Sequence, residues 1–281
     1  MNPQISVVMS VYNGEKFLYE AIKSILNQTY EDFEYIIIND GSTDSSQSII
    51  ESFNDNRIKL INQENRGLTA SLNKGINLSK GTYIARMDAD DISHHLRLEK
   101  QLKYIQDNNL DLVWAKAKFI NENTDVICNK FQPSLENTLR FLHKFIYVIH
   151  PATLFKKSIV IDSGLYNEEF QSGQDGDLWK RMIKNGYSFG LVDEYLLNYR
   201  VIGNSISAKN YNYSENVNYR NAKICLQNFS YKRFFSYFKK VGDIKLTMIL
   251  LLRLILGEYT ILLIRYLLPN NYNRIHKDNE Y

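Results

Sequence analysis

Cysteine is scarce: the 281 residues hold only Cys128 and Cys225, far apart and in no metal-ligand spacing. That disfavours a disulfide framework and fits a reducing, cytosolic compartment. A secretion signal is also missing. Met1-Asn2-Pro3-Gln4 carries no basic stretch, and the apolar run that follows, Ile5 to Met9, is only strand-length. Excess charge is absent, with a net of +3, so charge alone gives no reason to expect nucleic acid as a partner. No long apolar run is unbroken. Leu246 to Leu268 is interrupted by Arg253, Glu258 and Arg265, and each such charge costs about 2.5–3.5 kcal/mol at the centre of a bilayer. A transmembrane span is therefore disfavoured. Two phosphate-binding signatures are missing as well: Gly-x-Gly-x-x-Gly after the first strand, and Gly-x-x-x-x-Gly-Lys-Ser/Thr anywhere. Their absence argues against a nicotinamide dehydrogenase and a P-loop nucleotide hydrolase.

What remains is ordinary globular composition, 44% hydrophobic and 23% charged. The length suits one large domain, or one domain with an appendage. The 20 Tyr and 14 Phe can stack on sugars and bases, although packing is the commoner use of aromatic side chains.

The first hundred or so residues alternate between the period of a strand and that of a helix. Ile5 to Val11, Tyr35 to Ile38, Ile58 to Ile61 and Tyr83 to Asp88 read as strands. Between them, Phe17 to Leu26, a segment capped by Asp44 or Ser45, and Leu68 to Leu78 read as helices. This alternation predicts βαβ units and a largely parallel sheet, with ligands at the carboxyl ends of its strands. The polar clusters Ser10 to Asn13, Asn39 to Asp44 and Asp88 to Asp91 each fall at such an end.

Further on, Leu96 to Ile105 reads as a helix with one basic side, and Leu110 to Ile120 as a strand. Ser134 to Lys144 reads as a helix, and Ile146 to Phe155 as a return to the sheet. Asp175 to Asn185 reads as a helix closed by Gly186, and Phe189 to Val192 and Tyr195 to Val201 as two short strands. A soft boundary near Asn210 separates a helix-prone C-terminal region, 211–281, in which Lys232, Arg233, Lys239, Lys240 and Lys245 precede the apolar stretch. That pattern fits a helix lying on an anionic membrane surface, or one packed on the preceding domain or in a dimer.

Asp88, Asp90 and Asp91 close the fourth strand. Strand alternation would point Asp88 and Asp90 the same way, and paired carboxylates suit Mg²⁺ or Mn²⁺ and the phosphates such ions bind. A solvated acidic turn capping the next helix is the alternative. Asp40 can accept from the imide N–H of uracil and Tyr12 can cover that ring, though Asp-Gly-Ser is also an ordinary turn. Arg86 stands unusually within a strand, near phosphate or in a buried ion pair. His150, before Pro151, reads as a satisfied buried histidine, and His94 and His95 as solvated. Trp179 reads as core, and Trp114 as core or acceptor floor.

Four segments in order resemble glycosyltransferase family 2. They are Val7 to Gly14, Ile38 to Asp44, Asn65-Arg66-Gly67-Leu68 through Asn73-Lys74-Gly75-Ile76, and Met87-Asp88-Ala89-Asp90-Asp91. The resemblance runs from about Ile5 to Ser207. It implies a GT-A fold: an α/β, Rossmann-like, mostly parallel sheet flanked by helices, here with a helical C-terminal extension. The catalytic domain would be 1–210, with a nucleotide-sugar half at about 1–110 and an acceptor half at about 111–210. It also implies inverting transfer of a hexose from a nucleotide sugar, with UDP expected, to a saccharide hydroxyl. The acceptor class implied is bacterial surface polysaccharide (O-antigen or capsule) on a polyprenyl diphosphate carrier, made at the cytoplasmic face of the membrane.

By the same resemblance Ser10, Tyr12 and Asp40 line the nucleoside pocket, Asp88 approaches the ribose and shares the metal, and Asp90 binds Mn²⁺ or Mg²⁺. Gly173-Gln174-Asp175-Gly176-Asp177-Leu178-Trp179 is similar to the family's acidic pair before a Leu-Trp helix, with Gln174 in place of the usual Glu. Asp175 would be the general base, and a first-turn acid stabilised by the helix dipole is its plainer role. Tyr199-Arg200-Val201-Ile202 resembles the family's Tyr-Arg-x-His, with Ile202 replacing His. Arg200 would face the diphosphate or pair with a structural carboxylate. A nucleotidyltransferase and a non-catalytic nucleotide-sugar binder are the competing readings.

Overall fold

The computed structural model describes residues 2–130, 132, 134–141, 148–170 and 172–202. The expected C-terminal helices and membrane-facing segment of 211–281 lie outside the described residues, as does the end of the helix expected over Ser134 to Lys144. The strands are β1 (Ile5–Val11), β2 (Phe33–Asp40), β3 (Ile58–Gln63), β4 (Tyr83–Asp88), β5 (Ile92–Ser93), β6 (Leu112–Ile120), β7 (Val126–Asn129), β8 (Thr153–Lys156) and β9 (Phe189–Arg200). The helices are α1 (Glu15–Leu26), α2 (Ser46–Glu51), α3 (Leu68–Leu78), α4 (Arg97–Asp107), α5 (Leu135–Phe141), α6 (Lys157–Asp162) and α7 (Gln174–Lys184).

One sheet runs β3-β2-β1-β4-β8-β6-β9-β5, with β7 added on β6. β3, β2, β1 and β4 are parallel, and so are β6 and β9, while β8 runs against both of its neighbours. The chain steps outward from β1 to β3 and returns to place β4 on β1's other side. That reversal opens a crevice at the carboxyl ends of β1 and β4.

Alternation along the central strands decides what faces that crevice. Val7, Met9, Val11, Ala85 and Met87 pack with Leu18, Ile22 and Ile25 of α1 and with Leu98 and Ile105 of α4. Val8 and Ile84 point the other way, toward Leu72 and Ile76 of α3 and Leu178, Trp179 and Met182 of α7. Ser10, Arg86 and Asp88 share the parity of Val8 and Ile84, which assigns them to the α3 and α7 side. α3 lies close on β1 because Gly75 has no side chain: a Cβ there would sit 2.5 Å from Val8 Cγ1.

Several expectations are corrected. The two strands expected after Phe189 are one, β9, whose register against β6 skips Asp193 and Glu194. Those two acids read as a break, whereas they form a bulge. The return to the sheet after Ile146 begins only at Thr153, behind a 3-10 turn at His150–Ala152 that carries Pro151. β5, β7 and α6 are too short to leave a period. α4 does not put all its cations in water. Arg97 is fully buried and donates to the carbonyls of Arg86 (3.1 Å) and Pro151 (2.5 Å), and burial brings its guanidinium down to about 10.

Buried Glu34 on β2 ties the parallel half together. It accepts from Ser6 Oγ of β1 (2.6 Å) and the Lys80 N–H before β4 (2.5 Å), and pairs with Lys59 of β3. Burial raises its carboxyl, but the bonds from Lys59, Ser6 and Lys80 outweigh this and hold it below the ordinary carboxylate range. A depressed carboxylate contributes stability that is present above its unfolded value and is lost as pH falls through the folded one. Glu34→Ala leaves the buried Ser6 hydroxyl and the part-buried Lys80 N–H without their acceptor and is expected to cost about 2–3 kcal/mol at neutral pH. Urea melts should show that difference shrinking as the pH is lowered below the ordinary glutamate range. A difference independent of pH would mean that the charge of Glu34 does not matter.

Candidate active site

Alternation stops at Asp88. The chain turns at Ala89-Asp90, so it is the turn and not the strand that brings the other two acids round. One carboxylate oxygen each from Asp88, Asp90 and Asp91 then lie within 4.8 Å of one another. Asp91, expected only as a neighbour, is part of the cluster.

Arg200, 2% exposed, braces this turn. Its backbone N–H donates to Asp91 Oδ1 (2.8 Å) and its Nε to the Asp90 carbonyl (2.8 Å). Nη1 reaches the Asn121 and Glu122 carbonyls at 3.0 Å each, Nη2 reaches Glu20 at 2.9 Å, and the guanidinium lies 4.4 Å from the Phe17 ring centroid. Of the two readings for Arg200, the pairing with a carboxylate is present, and each guanidinium nitrogen has a protein acceptor.

Like charges this close oppose each other's ionisation. Burial, with Asp88 beside it, pushes Asp90 up to about 7. Burial followed by Asp90 and Asp88 pushes Asp91 well above the usual range, and Asp91 Oδ2 is buried without a hydrogen-bond partner among the described residues. One buried cation answers the cluster directly: Arg86, 3% exposed, pairs with Asp88 and leaves its own Nε without a hydrogen bond. An all-oxygen donor set, over-supplied with negative charge and holding an orphaned carboxylate oxygen, fits a hard divalent cation.

The residues expected to line a nucleoside pocket lie at the ends of β1 and β2. Ser10 sits in register between Ile38 and Asp88. Tyr12, just past β1, is 54% exposed. Asp40 is buried and accepts from Gln63 Nε2 (2.7 Å), Arg66 N–H (2.9 Å) and Gly67 N–H (2.9 Å). It thereby pins the loop that enters α3, where Gly67 takes a φ of 86°. The β1 and β2 loops clasp each other: Asn13 N–H donates to Ser42 Oγ (3.0 Å) and Asn13 Oδ1 accepts from Thr43 N–H (2.8 Å).

Asp175 stands half-buried in the first turn of α7, entered through Gly173 at φ 76°. Burial raises its carboxyl, against the Gly176 N–H and the charge of Arg86. Arg86 likewise acts on Asp90 and Asp91. Arg86 thus pairs with Asp88, and its charge opposes the upward shift of Asp90, Asp91 and Asp175.

Other residues were misjudged or invisible in the sequence. Arg86 gave a signal, a cation inside an apolar strand. Lys130 gave none: its ammonium lies 5.1 Å from the Tyr199 ring centroid and 5.5 Å from that of Phe119, and it too acts on Asp175. Tyr166 gave none, yet its hydroxyl meets His150 Nε2 at 2.7 Å, which satisfies that buried histidine. Trp114 and Trp179 are both fully buried, and His94 and His95 are exposed and stacked on each other.

This sheet order and the polar strand ends are those of the GT-A fold. TarS 1–349 of S. aureus, solved with UDP-GlcNAc, superposes with a TM-score of 0.63 at 21% identity, over 80% of this chain and 67% of that one. Against a second structure of TarS 1–349, this chain spans 60% of the other's length. The chain belongs to glycosyl transferase family 2, whose signature matches residues 6–164. It is 36% identical to the O-antigen biosynthesis glycosyltransferase WbnJ of Escherichia coli over 220 residues, 76% of this chain and 86% of that protein. It is 39% identical to an uncharacterized glycosyltransferase of Methanocaldococcus jannaschii over 208 residues, 71% of each chain.

Arg200→Lys keeps the charge but loses the planar fork that holds four acceptors. Groups that orient metal ligands are worth about 10–100-fold in metal affinity. Calorimetry with Mn²⁺ in the presence of UDP is expected to show a loss in that range, and unchanged Mn²⁺ affinity would mean that Arg200 does not shape the acidic turn.

Proposed function

We propose that the protein is an inverting, metal-dependent glycosyltransferase. It moves a hexose from a UDP-linked donor to a hydroxyl of a saccharide acceptor in bacterial surface polysaccharide synthesis, on a polyprenyl diphosphate carrier at the cytoplasmic face of the membrane. The observation that carries the reading is the cluster of Asp88, Asp90 and Asp91 at the end of β4, with Arg86 paired to Asp88, and the charge of Arg86 acting on Asp175 supports the base. Support for the donor comes from the TarS neighbour with UDP-GlcNAc. A second neighbour, a mannosyltransferase of Pyrobaculum calidifontis with GDP-Man and Mn²⁺ (TM-score 0.59, 18% identity), supports the cation more than the base. The O-antigen relative supports the acceptor class. Among the described residues no helix is long and apolar enough to cross a membrane.

In this reading Ser10, Tyr12 and Asp40 hold the nucleoside, Tyr12 by stacking. Asp88 and Asp90, with Asp91 behind them, hold Mn²⁺ or Mg²⁺, which when bound neutralises charge growing on the departing diphosphate. Asp175 takes the proton of the acceptor hydroxyl as its oxygen attacks the anomeric carbon. The bond from that carbon to the diphosphate breaks on the opposite side, and its electron pair leaves with the nucleoside diphosphate. Burial suits Asp175 to the task, because a base with a raised pKa holds a transferred proton more readily.

UDP release from a panel of UDP-sugars with Mn²⁺ and saccharide acceptors is the test. Asp175→Asn is expected to lose about 10²–10⁴-fold in kcat with donor affinity retained. Asp90→Ala is expected to lose both turnover and Mn²⁺ dependence. Wild-type turnover in both variants would end the assignment.

A further inference from the structure

The segment between α6 and α7 is gripped from two sides. From α3, Asn73 Nδ2 donates to the Tyr166 carbonyl (2.8 Å) and to Glu168 (3.0 Å), while Asn73 Oδ1 accepts from the Tyr166 N–H (3.0 Å). From α7, Arg181 donates to the carbonyls of Ser163 and Leu165, the latter at 2.6 Å. The Tyr166 side chain continues inward to His150, whose ring meets Trp179 of α7 edge-on at 5.9 Å. At its other end α3 is tied to the nucleoside side. Gln63 bridges Asp40 (2.7 Å) and Ser71 (2.9 Å), and Gly67, the cap of α3, donates to Asp40.

We propose that Asn73 is a positioning residue. It touches no reacting group, and through Tyr166 it sets where α7, and so Asp175, stands relative to the nucleotide-bearing loops. The inference rests on Asp175 being the base. An amide is what the site requires, because one planar group must accept from a backbone N–H and donate to the carbonyl of the same residue. Asp cannot donate there and Leu can do neither. Misplacing the base lowers turnover and leaves donor binding alone, since displacements of about 1 Å cost on the order of 10²-fold.

The experiment compares kcat, donor KM and UDP affinity in Asn73→Asp and Asn73→Ser with those of Asp175→Asn. Thr69→Val serves as a milder variant, removing only the bond from Thr69 Oγ1 to the Phe170 carbonyl (3.2 Å). Expected are a kcat loss of about 30-fold or more for Asn73→Asp, a smaller loss in the same direction for Thr69→Val, and UDP affinity within about twofold throughout. A folded Asn73 variant with wild-type kcat overturns the inference, and so does a parallel fall in kcat and UDP affinity. If the Asn73 variants fail to fold, Thr69→Val decides, and unchanged kcat there counts against it. An inactive Asp175→Asn beside fully active Asn73 variants defeats this inference alone, whereas an active Asp175→Asn defeats the base assignment.

Discussion

Three carboxylates share a space in which one oxygen of each lies within 4.8 Å of the others, and most of the site follows from keeping them there. Coulomb repulsion at that range, strengthened by burial, opposes the arrangement. Two arginines offset it differently. Arg86, on the strand itself, supplies the opposing charge. Arg200, from the far strand β9, supplies geometry through bonds to backbone carbonyls and to Glu20. The remaining imbalance, with Asp90 raised to about 7 and Asp91 well above the ordinary carboxylate range, fits a hard cation.

The fold places this imbalance by parity and by order. The strand order 3-2-1-4 puts β1 and β4 side by side at the reversal of the chain, and alternation turns Ser10, Arg86 and Asp88 toward the face that α3 and α7 cover. α3 reaches from the Asp40 loop at one end to the strap before α7, and so joins segments more than eighty positions apart. Glu34 and Arg97 do comparable work, each a buried ionised group bonded across several elements.

The parallel half was legible because β1 and β2 are buried on both sides and read as mainly apolar runs, and because helical periods separate the four strands. Ser10, Tyr12, Asp40 and Asp88 could be placed for the same reason, as each ends a recognisable run. What escaped depended on contacts that no local pattern records. Strand alternation gives no reason to include Asp91, because the turn after Asp88 does not follow the strand period. Arg97 looked like part of a basic helix face, since only packing against the backbone of β4 shows it to be buried. Lys130 sits on a segment with no periodicity, and the rings that hold it come from β6 and β9.

Family membership and fold leave the pairing of cation site and base as the claim on which the rest turns. Anomalous diffraction at the manganese edge, from crystals grown with Mn²⁺ and a non-hydrolysable UDP-sugar, addresses it in one map. The account predicts a single Mn²⁺ peak among Asp88, Asp90 and Asp91, with the diphosphate on it and the sugar's anomeric carbon lying between that ion and the Asp175 carboxylate. A peak elsewhere, or a sugar that leaves Asp175 facing only solvent or protein, would contradict it.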